Sequence, residues 1–135
     1  MSKIMLASGP VIVTDGKVLL NKHGEDTFWK FCGGRVKDLN QEGLIAAAQR
    51  EAQEEIGAKV EIINPVPFIL HVVRIINGEE VDIILAHYLA ELLPGQEVTP
   101  GEDIREVAWL DLEKLDQEDL GPNIRPTLKH FGFLG

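Results

Sequence analysis

Three glutamates close together in the sequence give its clearest chemical signal. Glu51, Glu54 and Glu55 are spaced i, i+3 and i+4, so a helix would place their carboxylates on one face. Like charges at this spacing cost an isolated helix roughly 0.2–0.5 kcal/mol per pair, and a bound cation would reverse that cost. Carboxylate oxygens suit Mg²⁺ or Mn²⁺. Taken alone, the spacing is more typical of a solvated acidic face.

The residues around these glutamates predict the helix that carries them. Apolar side chains recur with a helical period over residues 43–56, and Gly57 is a typical residue just past a helix end. The apolar stripe borders the three carboxylates, so the sequence places them at the edge of the core. The stripe consists of Ile45, Ala48, Ala52 and Ile56.

A longer pattern in the same region resembles the Nudix box, G-x5-E-x7-R-E-U-x-E-E-x-G-U, in which U is a bulky aliphatic residue. The two U positions hold Ala52 and Ala58, which are apolar but small. The fixed positions that match are Glu42, Arg50, Glu51, Glu54, Glu55 and Gly57.

The chain departs from the box at its first glycine. Counted back from Glu42, that glycine falls on Val36, and the nearest glycine is Gly34. Gly33 and Gly34 resemble the glycine pair that enters the family's loop, so we infer two extra residues within residues 35–41. Cys32 stands where many members have proline and is interpreted as a small packed residue.

The resemblance implies an α/β fold, the Nudix α/β/α sandwich with a mixed sheet. It also implies Mg²⁺-dependent hydrolysis of a pyrophosphate linkage in a nucleoside diphosphate derivative or a nucleoside triphosphate, with Mn²⁺ as a substitute ion. The implied metal ligands are Glu51, Glu54 and Glu55 with the carbonyl of Gly33. Gly34 and Trp29 are the expected substrate contacts.

The resemblance assigns Arg50 and Glu54 to catalysis and gives Glu42 a structural role. Arg50 is expected to orient Glu54, which lies one turn further along the helix, and Glu42 to hold the junction between loop and helix. The general base is left open, because family members use either a glutamate of the box or an acidic residue in a loop before a late strand. Glu102 is our choice in that loop, beside Asp103.

The remaining elements are predicted from turn signals and alternating apolar residues. Asp15-Gly16 and Asn77-Gly78 are strong hairpin signals. Strands that precede, separate and follow the helices indicate a mixed sheet between helical layers. The predicted strands are residues 11–14, 17–21, 28–32, 68–76, 80–93 and 106–110, and the predicted helices are residues 43–56, 112–115 and 126–132.

Composition narrows the classes of function. A length of 135 residues predicts one domain, residues 1–135, and a net charge of −9 argues against binding to a nucleic-acid polymer. The single cysteine excludes an internal disulfide and favours the cytoplasm. No apolar run approaches the roughly 20 residues of a membrane helix. The expected partner is a small nucleotide-like molecule, and a homodimer is left open.

Other residues and other functions carry weaker signals. Histidines 23, 71, 87 and 130 have no metal-ligand spacing and are assigned no role. Phe28, Trp29 and Trp109 are aromatic residues that could stack on a base, although such residues are more often part of a core. The alternatives to an enzyme of this type are a non-hydrolytic nucleotide-binding sensor and an isomerase on the same fold.

Overall fold

The computed structural model describes residues 3–135, so residues 1 and 2 of the predicted domain lie outside the described residues. These residues form a seven-stranded sheet, two α-helices and a short 3-10 helix. The strands are β1 (Lys3–Thr14), β2 (Lys17–His23), β3 (Gly34–Arg35), β4 (Val60–Ile62), β5 (Phe68–Ile76), β6 (Glu79–Leu92) and β7 (Ile104–Asp111). The helices are α1 (Leu44–Ile56), the 3-10 helix Leu112–Gln117 and α2 (Ile124–His130).

The sheet is mixed, as predicted, because its two longest strands run parallel. β1 and β6 pair in parallel from Lys3↔Val81 to Ile12↔Ala90, and the other pairs are antiparallel. The order is β4-β6-β1-β2-β7, with β5 on β6 and β3 on β1. The glycine-containing strand β3 is therefore attached to the middle of the sheet.

Both predicted hairpin turns are confirmed. Asp15 and Gly16 have φ values of 52° and 76°, and Asn77 and Gly78 have 52° and 79°. Two successive positive φ angles define the turn whose twist matches that of antiparallel strands. Short polar residues and glycine tolerate this conformation, which explains why the turns could be predicted locally.

Alternation along the strands divides the core between the two helices. Ile12 and Leu19 pack with Ala52 and Ile56 of α1, whereas the neighbouring strand residues pack against α2 on the other face. That second cluster includes Val11, Val18, Leu20, Ile124 and Leu128. The arrangement confirms the predicted sandwich of helices around a mixed sheet. Among residues 3–135, no helix has the length and apolar character needed to span a bilayer.

Three predicted elements differ from the structure. Residues 28–32 form no strand: Lys30 bridges Asn21 and Trp29 bridges Leu120, and because these neighbours pair with different segments no ladder forms. The brief helix predicted over residues 112–115 is a 3-10 helix that extends from Leu112 to Gln117. The last helix starts at Ile124 and ends at His130, with Pro126 inside its first turn, where its missing N–H costs no helical hydrogen bond.

Two short strands were missed by the sequence prediction, β3 (Gly34–Arg35) and β4 (Val60–Ile62). β4, Val60–Ile62, pairs with the end of β6 through Val60↔Leu92 and Ile62↔Ala90. Strands of two or three residues are too short for an alternating pattern to be recognised. β4 follows α1 closely and ties the end of that helix to the sheet.

Candidate active site

Arg50 is the centre of a carboxylate network at the surface of α1. Its Nε and Nη2 donate to the two oxygens of Glu42 at 2.6 and 2.9 Å. Its Nη1 donates to Glu51 at 3.0 Å and to Glu54 at 3.1 Å. The guanidinium lowers the pKa of Glu42, and these carboxylates raise the pKa of Arg50. The planar fork of arginine is suited to holding several carboxylates at once.

Glu51 and Glu55 are the buried members of the three glutamates, and the side chain of Glu51 is 9% exposed. Burial, followed by the charge of Glu55, raises the pKa of Glu51. A Cβ atom on Gly34 would lie 2.5 Å from the Oε1 of Glu51, so a side chain at this position would displace that carboxylate. Val36, in contrast, is buried and continues the pairing of β3 by donating to Leu6. Gly34 thus has the close approach expected of the box glycine, and the position of the two extra residues after it stays a prediction.

Glu55 faces the loop that enters β3. Its Oε1 accepts from the backbone N–H of Gly33 at 2.9 Å, and its Oε2 lies 3.1 Å from Nε2 of His23. The hydrogen bond that His23 donates to Glu55 raises the pKa of His23. His23 was assigned no role from the sequence, and no spacing in the sequence indicates this contact, because the two residues are brought together only by the sheet.

Glu54 is the exposed member of the set, with a side chain that is 57% exposed. Its described contact is with Arg50, one helical turn earlier. This is the orienting contact that was expected between the two residues. Because Glu54 is exposed, a ligand can reach the carboxylate face of the helix from solvent.

The residues present fit a magnesium ion by their chemistry. Glu51, Glu54 and Glu55 supply hard oxygen donors, which Mg²⁺ prefers. Within residues 3–135, no three acidic, histidine or cysteine side chains already stand together as a metal-binding group. Arg50 contacts one oxygen each of Glu51 and Glu54, and Gly33 and His23 contact the two oxygens of Glu55. A carboxylate has about four acceptor positions, so these contacts leave lone pairs for an ion.

The loop that carries Glu102 is attached to the C-terminal end of α1. Thr99 and Gly101 donate to the carbonyls of Ile56 and Glu55, each at 2.9 Å. A side chain on Gly101 would collide with the carbonyl of Glu54. Glu102 itself is exposed and lines a cleft together with His23. The structure therefore brings this loop to the carboxylate face, and the role of Glu102 as a base stays a prediction.

Trp29 does not fit the expected substrate contact. The residue is 5% exposed and belongs to the core cluster against α2. Its Nε1 donates to Glu118 at 3.0 Å, and the ammonium of Lys22 lies 4.4 Å from the ring centroid. A ring enclosed in this way has no free face for a base, so its role is structural. Cys32 is also buried, and burial raises the pKa of its thiol, as expected of a packed residue.

A cavity of about 240 Å³ opens beside the carboxylate face. Its apolar wall comes from β1, β5 and β6, and its polar side chains include Lys30, Arg35 and Arg74. Gly33 and Gly34 line the cavity and also contact Glu55 and Glu51. The two glycines thus form the boundary between a pocket large enough for part of a nucleotide and the predicted metal ligands.

Comparison with known proteins agrees with this arrangement. The sequence profile of the NUDIX domain matches residues 6–131. Nucleoside triphosphatase NudI of Enterobacter sp. (strain 638) is 27% identical over 135 residues, covering 93% of this chain and 94% of that protein. NudI of Klebsiella pneumoniae (strain 342) has the same identity and coverage.

Solved structures show the same fold. A NUDIX hydrolase from Nitrosomonas europaea superposes with a TM-score of 0.74 at 18% identity, covering 97% of this chain and 88% of that one. A MutT NUDIX hydrolase from Burkholderia pseudomallei gives 0.71 at 24% identity, covering 95% and 98%. The chain belongs to the Nudix family. It is a pyrophosphohydrolase of that family, which acts on nucleotide derivatives.

Proposed function

We propose that this enzyme hydrolyses a nucleoside triphosphate in a Mg²⁺-dependent reaction. The observation that carries the proposal is the position of Gly33 and Gly34, which line the cavity and contact the carboxylates of α1. A nucleoside in the cavity would then direct its phosphates across the glycines to the carboxylate face. The relatives named nucleoside triphosphatase, which this chain matches over most of their length, support the choice of a triphosphate.

Each polar residue of the site has a separate task in this proposal. Glu51, Glu54 and Glu55, with the carbonyl of Gly33, would hold the ion. When bound, Mg²⁺ neutralises phosphate oxygens and lowers the pKa of a water ligand. Arg50 orients two of the carboxylates through its fork.

The bonds that change are those of the pyrophosphate linkage. A water oxygen forms a bond to one phosphorus, and the bond from that phosphorus to the bridging oxygen breaks. The bridging oxygen keeps the electron pair and leaves on the other phosphate group, while the attacking water gives a proton to a base. Glu102 is the proposed acceptor of this proton, because its loop is attached to α1 and lines a cleft beside His23. Gly34 leaves room for the phosphates because it has no side chain to place against Glu51.

A substrate panel tests the proposal. The purified chain is incubated with ribo- and deoxyribonucleoside triphosphates and with nucleoside diphosphate derivatives, in Mg²⁺, in Mn²⁺ and in EDTA, and products are identified by mass spectrometry. We expect a nucleoside triphosphate to give the highest kcat/KM and EDTA to abolish turnover. Tight nucleotide binding without turnover would favour the sensor alternative, and a preferred diphosphate derivative would overturn the choice of a triphosphate.

Metal binding should also be visible as a change in stability. Glu51 is buried and its pKa is raised, so its charged form opposes folding, and this cost grows as pH rises through the carboxylate range. A divalent ion bound only by the folded state stabilises it by mass action. We expect Mg²⁺ to raise the melting temperature at pH 7.5, and Glu51→Gln with Glu55→Gln to remove most of that rise.

A matched pair of substitutions controls for the loss of two charges. Glu61 and Glu91 are exposed and face each other across β4 and β6. Replacing both by glutamine removes the same charge at a distance from the carboxylate face. The metal-induced shift should survive in this control. A full shift in the Glu51→Gln, Glu55→Gln variant would place the ion elsewhere.

A further inference from the structure

His87 and Asn123 form a polar pair in the wall of the cavity, next to aromatic side chains. His87 lies on β6 and is 4% exposed, with the rings of Phe31 and Phe68 centred 5.6 and 6.2 Å from its own. Asn123 is the residue before α2. Both line the same cavity as Gly33 and Gly34, yet neither has a part in the chemistry proposed above.

The partners of His87 determine where its proton is. Nδ1 lies 3.0 Å from the carbonyl oxygen of Phe68, and a carbonyl can only accept, so Nδ1 carries the hydrogen. Burial lowers the pKa of His87, so the ring is neutral near pH 7 and Nε2 presents a lone pair. Asn123 Nδ2 lies 2.9 Å from that lone pair and donates to it.

This chain of hydrogen bonds fixes the orientation of the Asn123 amide. If the amide turned over, its oxygen would face the lone pair of Nε2, and two acceptors would meet. The backbone beneath it is also held, because the hydroxyl of Thr127 donates to the Asn123 carbonyl at 2.6 Å. One amide N–H is used by His87, which leaves the other N–H and the amide oxygen to bind a ligand.

We propose that His87 is a positioning residue for base selection: by fixing the Asn123 amide, it determines which hydrogen-bonding edge of a nucleobase the cavity accepts. The inference rests on the proposed function, because the sugar and phosphates must determine how the base enters. Adenine and cytosine present an amino donor beside a ring-nitrogen acceptor, whereas guanine, uracil and thymine present a carbonyl acceptor beside a ring N–H. An Asn123 amide held in one orientation can form hydrogen bonds with one class of base. With the other class, donor would meet donor and acceptor would meet acceptor.

The amide of Asn123 and the ring of Phe28 lie near each other in the wall of the cavity. The amide oxygen of Asn123 and the ring of Phe28 both border Gly121, where an added Cβ would lie 3.3 Å from the oxygen and 3.6 Å from the ring. Phe28 is half-buried and lines the cavity. A base that contacts this ring would therefore have its edge near the amide.

The test compares the two classes of base in wild-type and variant enzyme. The readout is the ratio of kcat/KM between amino-type substrates (dATP, dCTP) and keto-type substrates (dGTP, dTTP). One well-placed pair of hydrogen bonds supports discrimination of about tenfold or more. We expect the wild-type ratio to depart from one by about that factor, and Asn123→Ala and His87→Phe to bring it within about threefold of one.

Two further variants separate positioning from a merely structural effect. In the double variant His87→Phe, Asn123→Ala the ratio should match that of Asn123→Ala alone, because His87 acts through Asn123. His87→Gln, whose amide oxygen can accept from Asn123, should recover most of the wild-type ratio. His71→Phe is the matched control, since His71 is exposed on β5 and paired with Asp82, and it should leave the ratio unchanged.

The outcomes distinguish this inference from the proposed function. A wild-type enzyme that turns over no triphosphate overturns the proposed function, and the inference with it. Turnover with a ratio near one, or a wild-type ratio retained in Asn123→Ala or in folded His87→Phe, overturns the inference alone. If His87→Phe does not fold, Asn123→Ala and His87→Gln still decide the result.

Discussion

Glu54→Gln is expected to lower kcat by at least about a hundredfold while leaving the fold intact. The substitution removes one of three charges proposed to hold the catalytic ion, and ligands of such ions are among the most sensitive positions of an enzyme. The fold should survive because Glu54 is 57% exposed and its described contact is with a neighbouring residue of the same helix. The measurements are kcat at saturating Mg²⁺ and the melting temperature.

Glu61→Gln serves as the control for this experiment. Glu61 is an exposed glutamate on β4, so the substitution removes the same charge from another part of the surface. Its kcat should remain within about twofold of wild type, as is usual for surface substitutions away from special features. Near-normal, metal-dependent turnover by Glu54→Gln would show that the proposed metal site is wrong.

Arg50→Lys is expected to lower kcat/KM by about 10- to 100-fold, the range typical when a residue that orients a metal ligand is lost. Lysine keeps the positive charge but replaces a planar fork by a single ammonium group. It can no longer hold Glu42, Glu51 and Glu54 together. The loss should be measured in steady-state kinetics over a range of Mg²⁺ concentrations, because disordered ligands raise the concentration of metal required.

Arg125→Lys provides the matched comparison. Arg125 forms an ion pair with Asp116 at 2.8 Å, and both side chains are well exposed. Exposed pairs of this kind contribute about 0–1 kcal/mol, so activity should be unchanged. If Arg50→Lys also retained activity within about twofold, its network would be a surface feature without a part in catalysis.

The carboxylate helix could be predicted because its signals are local. Residues three and four apart meet on any helix, so the common face of Glu51, Glu54 and Glu55 required no knowledge of the fold. The same holds for Gly57, which has φ of 63° at the helix end, and for the turn at Asn77 and Gly78. In each case, residue type and backbone geometry are linked over a few positions.

The segment before β3 shows where local signals are insufficient. Residues 28–32 have the composition of a strand, but a strand also needs a partner along its length, and these residues obtain only isolated bridges. The same placement encloses Trp29 in the core, against its expected contact with substrate. Composition indicates that a segment tends to form a strand, but whether it does so depends on the strands available to pair with it.

The sequence by itself determined the helix, the hairpins, the acidic triad and the resemblance that indicates a pyrophosphohydrolase. Only the tertiary structure decided that His23 contacts Glu55, that Gly34 lies against Glu51, and that His87 meets Asn123. These partners are separated by 17 to 36 residues along the chain. Their contacts depend on which strands pair and in what register, a choice made by long-range pairing and burial rather than by residue spacing.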